Sequence, residues 1–314
     1  MVVDKPAGWT SHQVVARVRR LLGTRKVGHA GTLDPMATGV LLVGVNAATR
    51  LLGHLMLTEK TYTGTVRLGV GTVTDDAEGA VTATPGIGAV AADVLEAALV
   101  PLRGDIWQVP TAVSAIKVDG VRSYAKVRAG QEVALAARPV RVLRLEVLDR
   151  RPADAAGVPC LDLDVLVECS SGTYVRALAR DLGLALGSAG HLTALRRTRV
   201  GAYGLDEAQP LAQARSAGRD SAGEGEQAGE GDQPADMPPP ALRLLGLAEV
   251  ARRSFTTCTV TAEQAADVGF GRRLPALPLS TDPTALLSPD GDFLALYRPD
   301  GAGARPVAVF VGGG

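Results

Sequence analysis

Residues 28–39 read GHAGTLDPMATG and run directly into apolar Val40-Leu41-Leu42-Val43. Gly28, Gly31 and Gly39 open backbone angles closed to other residues and let a ligand approach closely. Asp34 stands between this loop and what reads as a buried strand. A carboxylate so placed works as nucleophile or base if it stays ionised while partly desolvated, which calls for a nearby cation. Lys5, Lys60, Arg176 and Arg180 are candidates. Arg176 is attractive because Gly172-Thr173-Tyr174-Val175-Arg176 follows a strand and turn, where a helix start would aim it at a cleft. Tyr62, in Glu59-Lys60-Thr61-Tyr62, offers a face to a planar substrate. His29 offers a base or a hydrogen bond. Each also has a plainer reading: Asp34-Pro35 as a turn, Arg176 as a surface arginine, Tyr62 as strand packing, His29 as a shape residue.

Other chemistries lack their residues. The loop has neither G-x-x-x-x-G-K-[ST] nor G-x-G-x-x-G, so a phosphate cradle fits poorly. His12, His29, His54 and His191 are scattered, no ligand spacing joins them to cysteines or acids, and G-x-S-x-G is missing. The residues therefore give no reason to expect a metal. The basic runs Arg17–Lys26 and Arg196-Arg197-Thr198-Arg199 would suit a phosphate backbone, although such clusters also serve as solvated faces.

The elements that must carry these residues read as a mixed α/β body. Thr10 or Ser11 can cap a helix whose Val14, Val15, Val18, Leu21 and Leu22 keep helical spacing, with Gly23 as its stop. Tyr62–Leu68 and Cys160–Cys169 alternate as strands, the second with Leu161, Leu163, Val165 and Val167 on one face. A helix from about Val175 to Leu186 follows the turn at Ser170-Ser171-Gly172. Irregular alternation of strands and helices favours a mixed body over a doubly wound sheet. Met1-Val2-Val3 reads as the end of a strand whose beginning lies upstream.

Between about Gln213 and Ala241 the chain turns to Gly, Ala, Glu, Asp and Pro, which cannot bury enough apolar surface to offset ordering entropy. We expect a flexible acidic linker over 213–241, dividing a body at 1–212 from a tail at 242–314. The tail suggests one short helix at Ala262–Val268 and apolar runs at 285–287, 293–297 and 306–311, the rhythm of a small β-barrel or sandwich. The 33 basic and 33 acidic residues of the 314 balance overall, yet residues 1–30 carry six Lys/Arg against Asp4 alone while 220–236 carry six acids. The three cysteines form no C-x-x-C pair and fit a reducing compartment. With no signal-peptide pattern and no apolar run of about 18 residues, the expectation is a cytoplasmic protein without a membrane partner.

Taken in order, Val3-Asp4-Lys5-Pro6, GHAGTLDPMATGVL, Lys60-Thr61-Tyr62, Cys169-Ser170-Ser171-Gly172-Thr173-Tyr174-Val175-Arg176 and His191-Leu192-Thr193-Ala194-Leu195-Arg196-Arg197 resemble the TruB family of tRNA pseudouridine synthases. The resemblance covers Met1 to about Ala212, and an insert at about 109–139 resembles the family's RNA-gripping thumb through Ser114-Ala115-Ile116-Lys117 and Gly120–Ala125. The N-terminal strand is shorter than is usual in the family, and the acidic linker carries no family motif.

The resemblance implies an α+β pseudouridine synthase fold, with a largely antiparallel mixed sheet flanked by helices and a small PUA-like C-terminal domain. Arg252, Arg253, Arg272 and Arg273 could meet phosphates there. It implies isomerisation of uridine 55 in the tRNA T loop by base flipping, without cofactor or metal. Asp34 matches the catalytic aspartate, Arg176 its partner arginine, and Tyr62 the tyrosine that stacks on the base and is implicated in removing the C5 proton. His29 matches the residue that fills the space vacated by the base, Lys5 an architectural lysine, Leu195 a pocket wall, and Asp76 an acid positioning Arg176 and Tyr62. Tyr174 completes the substrate-binding set. Arg176 should depress the pKa of Asp34, which could then attack C1′ or C6 or take the C2′ proton; elimination through a glycal-like sugar is the favoured route. The T arm of tRNA is the expected partner, with no obligatory protein partner and a monomeric chain. The competing readings are a guide-RNA-dependent synthase subunit and a non-catalytic tRNA-binding or folding protein.

Overall fold

The computed structural model describes residues 1–111, 135–211 and 242–311, together with the backbone of 117–118 and 121–122. The proposed linker at 213–241 and the thumb motifs Ser114–Lys117 and Gly120–Ala125 thus lie outside the residues whose side chains are described.

Strand β1 (Val2–Lys5) leads to helix α1 (Ser11–Leu22). Thr10 caps α1 by accepting from the Gln13 N–H while Gln13 reaches back to the Thr10 N–H, and Gly23 closes it at φ 61°. The reciprocal cap satisfies two of the donors that a helix start leaves unpaired. Val14, Val15 and Val18 are buried beneath it, as their spacing predicts. Next come β2 (Val27–Ala30), β3 (Thr38–Val45), α2 (Leu52–Leu55) and β4 (Lys60–Leu68). A hairpin of β5 (Gly71–Thr72) and β6 (Val81–Ala83), helix α3 (Ala92–Leu99) and β7 (Gly104–Gln108) precede the insert. Within it, β8 (Lys117–Val118) pairs antiparallel with β9 (Val121–Arg122). The long β10 (Arg138–Ala155), β11 (Val158–Cys169), α4 (Val175–Ala185), β12 (Gly190–Val200), β13 (Tyr203–Gly204) and β14 (Gln209–Pro210) complete the body.

These strands form a mixed sheet ordered β14-β1-β3-β12-β4-β11-β10-β7, with β2 on β3 and β13 on β12. Pairing is antiparallel except at β1–β14 and β3–β12. In β11, Leu161, Leu163, Val165, Val167 and Cys169 are buried in one core with Leu95 and Leu99 of α3 and Leu178 and Leu182 of α4. Alternation of this kind is the strand period seen through one-sided burial. The parallel β3–β12 contact brings Gly39 opposite Arg197. A Cβ at Gly39 would meet the Arg197 carbonyl oxygen at 2.1 Å, and φ is +100°, so glycine alone permits the pairing that joins the Asp34 loop to β12.

The tail differs from expectation. One sheet ordered β15 (Thr256–Thr259), β16 (Thr284–Leu287), β17 (Phe293–Asp300), β18 (Gly303–Val309) is accompanied by two helices, α5 (Leu247–Ser254) and α6 (Ala262–Gly269). Only α6 was legible. Helix α5 packs on β15, β16 and β17 and buries Ala251, and Ala251, Ala285, Phe293 and Leu296 share a core with Val2, Leu42, Leu51, Leu55 and Tyr203. Arg253, a candidate phosphate ligand from sequence, is instead taken up by Glu207 and lies 4.4 Å over the Tyr203 ring.

Candidate active site

Loop 31–37 is held from below. Lys5, fully buried at the end of β1, donates its ammonium to the carbonyls of Pro6, Trp9 and Pro35. Ser11 at the start of α1 takes both polar groups of Leu33: its hydroxyl donates to the Leu33 carbonyl at 3.2 Å and accepts from the Leu33 N–H at 2.9 Å. Arg197, 1% exposed, donates to the carbonyls of Val40 and Gly31 at 2.7 and 3.1 Å. This corrects the reading of Arg196–Arg199 as a phosphate surface: Arg197 is scaffold, and Arg196 forks onto Asp4. A buried guanidinium satisfied by backbone carbonyls trades its hydration for fixed dipoles and so fixes the loop.

Asp34 emerges from this frame onto the floor of a cleft of about 300 Å³. Six of the sequence candidates line it, Asp34, Lys60, Tyr62, Tyr174, Arg176 and Leu195, and residues 31–33 and 170–173 contribute to the wall. Arg176, 6% exposed at the start of α4, faces Asp34 with Nε 3.0 Å from Oδ2 and Nη2 3.1 Å from Oδ1. Its third nitrogen, Nη1, donates to Asp76 Oδ2 at 3.1 Å and to the Thr74 carbonyl at 2.8 Å. Asp76 is buried behind the arginine and lies outside the cleft lining. It is fixed in turn by the Thr74 hydroxyl and the Glu78 N–H. Of the other cations, Arg180 serves Asp75 and Asp181, not Asp34.

Burial pushes the Asp34 carboxyl above its ordinary value; Arg176 pulls the other way and Asp76 adds to the rise. The expectation that Arg176 would depress it is therefore corrected in net direction, because the dense floor of the cleft costs the charge more than one guanidinium returns. An ionised carboxylate in this setting is a stronger base than a solvated one. Burial likewise raises the Tyr62 phenol, so its ring stands in the cleft as a neutral group. Burial lowers the Lys5 and Lys60 ammonium groups to about 8.

His29 does not line the cleft. It sits half-buried on β2 with its ring 5.4 Å from that of His12, edge to face, and burial followed by His12 and Arg197 lowers its pKa. Sequence reasoning missed Gln108. This side chain, 2% exposed, donates to the Tyr174 carbonyl at 3.1 Å and accepts from the Tyr174 N–H at 2.8 Å. It ties β7 to the loop that delivers Arg176. A polar residue in an alternating strand, facing the buried side, is the signal that could have found it.

The mixed sheet thus carries a carboxylate–guanidinium pair with a buried tyrosine lining the same cleft. The fold matches that in the structure titled "Crystal Structure of a Cbf5-Nop10-Gar1 Complex", with a TM-score of 0.66 at 23% identity over 99% of this chain and 85% of that one. The family model described as TruB family pseudouridylate synthase (N terminal domain) matches residues 19–175, and those described as tRNA pseudouridylate synthase B C-terminal domain and tRNA Pseudouridine synthase II, C terminal, match 176–217 and 255–311. A protein of Arthrobacter sp. (strain FB24) named tRNA pseudouridine synthase B is 50% identical over 99% of this chain and 95% of its own length. One of the same name from Cutibacterium acnes is 55% identical over 96% of this chain and 92% of its own. The chain belongs to the TruB family of pseudouridylate synthases.

Proposed function

We propose that this protein isomerises uridine 55 in the T loop of tRNA to pseudouridine, with Asp34 as the group that acts on the nucleotide. The observation that carries the reading is the fork of Arg176 onto Asp34 at the floor of a cleft walled by Tyr62 and Leu195. Relatives about half identical over nearly the whole chain, named tRNA pseudouridine synthase B, support tRNA as the substrate.

A uridine inside a folded loop must leave its stack before a carboxylate can reach its sugar. The neutral Tyr62 ring offers the extracted base a face worth about 1–3 kcal/mol, with Leu195 and Tyr174 also lining the cleft. His29, outside the cleft, supports the loop from which the base departs, and Lys5 holds the carbonyl of Pro35 beside the catalytic residue. Asp34 takes the C2′ proton and the C1′–N1 bond breaks, leaving a glycal-like sugar and the uracil anion. The base turns over, C5 bonds to C1′ and the proton returns to C2′. N1 gains a proton as C5 loses one, the Tyr62 hydroxyl relaying it. Arg176, anchored by Asp76, keeps Asp34 in one orientation through both halves.

The same reading takes the chain as a cytoplasmic monomer that engages the T arm without an obligatory protein partner, its tail at 242–314 acting as a PUA-like RNA-binding unit beyond the linker at 213–241. The test is an unmodified tRNA transcript incubated with purified protein, without guide RNA or cofactor, and mapped for pseudouridine. A single product at position 55 is expected. Product only when a guide RNA is added would move the assignment to the guide-dependent class, and no product with intact binding would leave a tRNA-binding protein.

A further inference from the structure

Strand β7 is an edge of the main sheet, and its Trp107 is 74% exposed. Across the β7–β10 ladder Trp107 pairs with Pro139 and Asp105 with Arg141, so these four residues share one face. They line a groove of about 340 Å³ together with Ile106, Val140 and Ser170. Ser170 also lines the Asp34 cleft. Its N–H donates to the Arg141 carbonyl at 2.8 Å, and its hydroxyl accepts from the Arg141 N–H at 2.9 Å. The groove thus meets the cleft at Ser170, which is fixed to β10 by both of these bonds to Arg141.

We propose that this groove is a second nucleotide subsite, in which the base of an unpaired nucleotide of the RNA substrate stacks on the Trp107 indole while its phosphate meets Arg141. The inference rests on RNA being the substrate of the adjoining cleft. An indole this open to water on a sheet edge presents a large apolar surface, and a base is a planar partner that would cover it. Arg141 stands 3.7 Å from Asp105, with both side chains mostly exposed. Water screens so open a pair, and the guanidinium can leave it for a phosphate at little cost. Asp105 opposes that phosphate, so the stack carries more of the binding than the charge. The strand's other face fixes the geometry: Gln108, one residue on, points inward and grips both backbone groups of Tyr174. A nucleotide on Trp107 is therefore held at a set distance from the loop that delivers Arg176.

The test uses the full chain and a T-arm hairpin RNA, measuring Kd by titration and kcat and KM by pseudouridine formation. Trp107→Ala should weaken Kd and raise KM by about 5- to 150-fold, the range expected for loss of one base–aromatic stack, with the loss in KM and not in kcat. Trp107→Phe should recover most of the affinity, whereas Trp107→Leu, equally apolar but without a π face, should not. Acrylamide should quench Trp107 in a Trp9→Phe protein, and the RNA should protect it. Unchanged Kd in Trp107→Ala, or equal rescue by Leu and Phe, would overturn the subsite. So would a Trp107 already shielded in the free protein, which would mean that the chain's own insert occupies the groove. If wild type forms pseudouridine while Trp107→Ala binds RNA as wild type does, the subsite alone falls; if wild type neither binds nor modifies the hairpin, the assignment of the cleft falls with it.

Discussion

Arg176 presents its Nε and Nη2 to the two oxygens of Asp34, at 3.0 and 3.1 Å, while its remaining nitrogen is spent on Asp76. One guanidinium is thereby shared between a carboxylate open to the cleft, with 34% of its side chain exposed, and one sealed behind it at 3%. The sealed carboxylate positions the arginine and the arginine positions the open one. This arrangement separates the two acids by role through environment alone.

Arg176→Lys keeps a positive charge but cannot make the fork. We expect a folded protein whose kcat falls at least about a hundredfold, since about 3 kcal/mol of positioning corresponds to that loss. Arg176→Ala should also lower stability by about 3–5 kcal/mol, because Asp76 is left buried without its cation. Thermal melts beside single-turnover assays separate the two effects.

The raised Asp34 carboxyl should set the acid limb of the pH profile. The proposed step uses Asp34 as an anion, so activity should be full above its pKa and lost as pH falls through it. Because that pKa lies above the ordinary aspartate value, the limb should appear at higher pH than for a solvated carboxylate. Lys5 pulls the Asp34 pKa down, so Lys5→Met should shift the limb of log kcat/KM upward. A limb that stays put or moves down would show that the titrating group is not Asp34.

Gly39→Ala should be severely destabilising, by about 3 kcal/mol or more, because it combines a backbone clash with a left-handed φ. The added Cβ would lie 2.1 Å from the Arg197 carbonyl oxygen. Gly53 in α2 has nothing within 4 Å of the corresponding position, and Gly53→Ala should be neutral or stabilising by about 0.5–1 kcal/mol. Paired denaturant titrations check both.

Gln108→Ala removes the partner of two backbone groups at Tyr174. The expected cost is about 2–4 kcal/mol of stability at an otherwise dense site, with kcat/KM reduced at least about tenfold through a looser Arg176 loop. A variant that melts earlier yet retains full kcat/KM would make Gln108 purely structural.

Much of the candidate site was legible because it sits in short local patterns. The glycine-bracketed Asp34, the turn before Arg176 and the alternation of β11 each needed only a few neighbouring residues. What the sequence concealed depends on distant pairing. The burial of Arg197 follows from the parallel β3–β12 contact, which joins residues more than 150 positions apart. The net rise at Asp34 depends on how densely the cleft floor packs, and a list of nearby cations cannot supply that. Helix α5 was hidden because its polar residues outweigh the single position it fully buries, Ala251. The exposure of Trp107 was not legible either, since a place on an edge strand is a property of the sheet order.

The central claim is that Asp34 carries the reaction and is not simply the start of a turn. Asp34→Asn keeps the size of the side chain and removes the charge. Pseudouridine formation at uridine 55, measured with a tRNA transcript under single-turnover conditions, should become undetectable, while Tm and tRNA Kd remain near wild type. Residual isomerisation at more than a trace, or loss of folding in place of loss of chemistry, would contradict it.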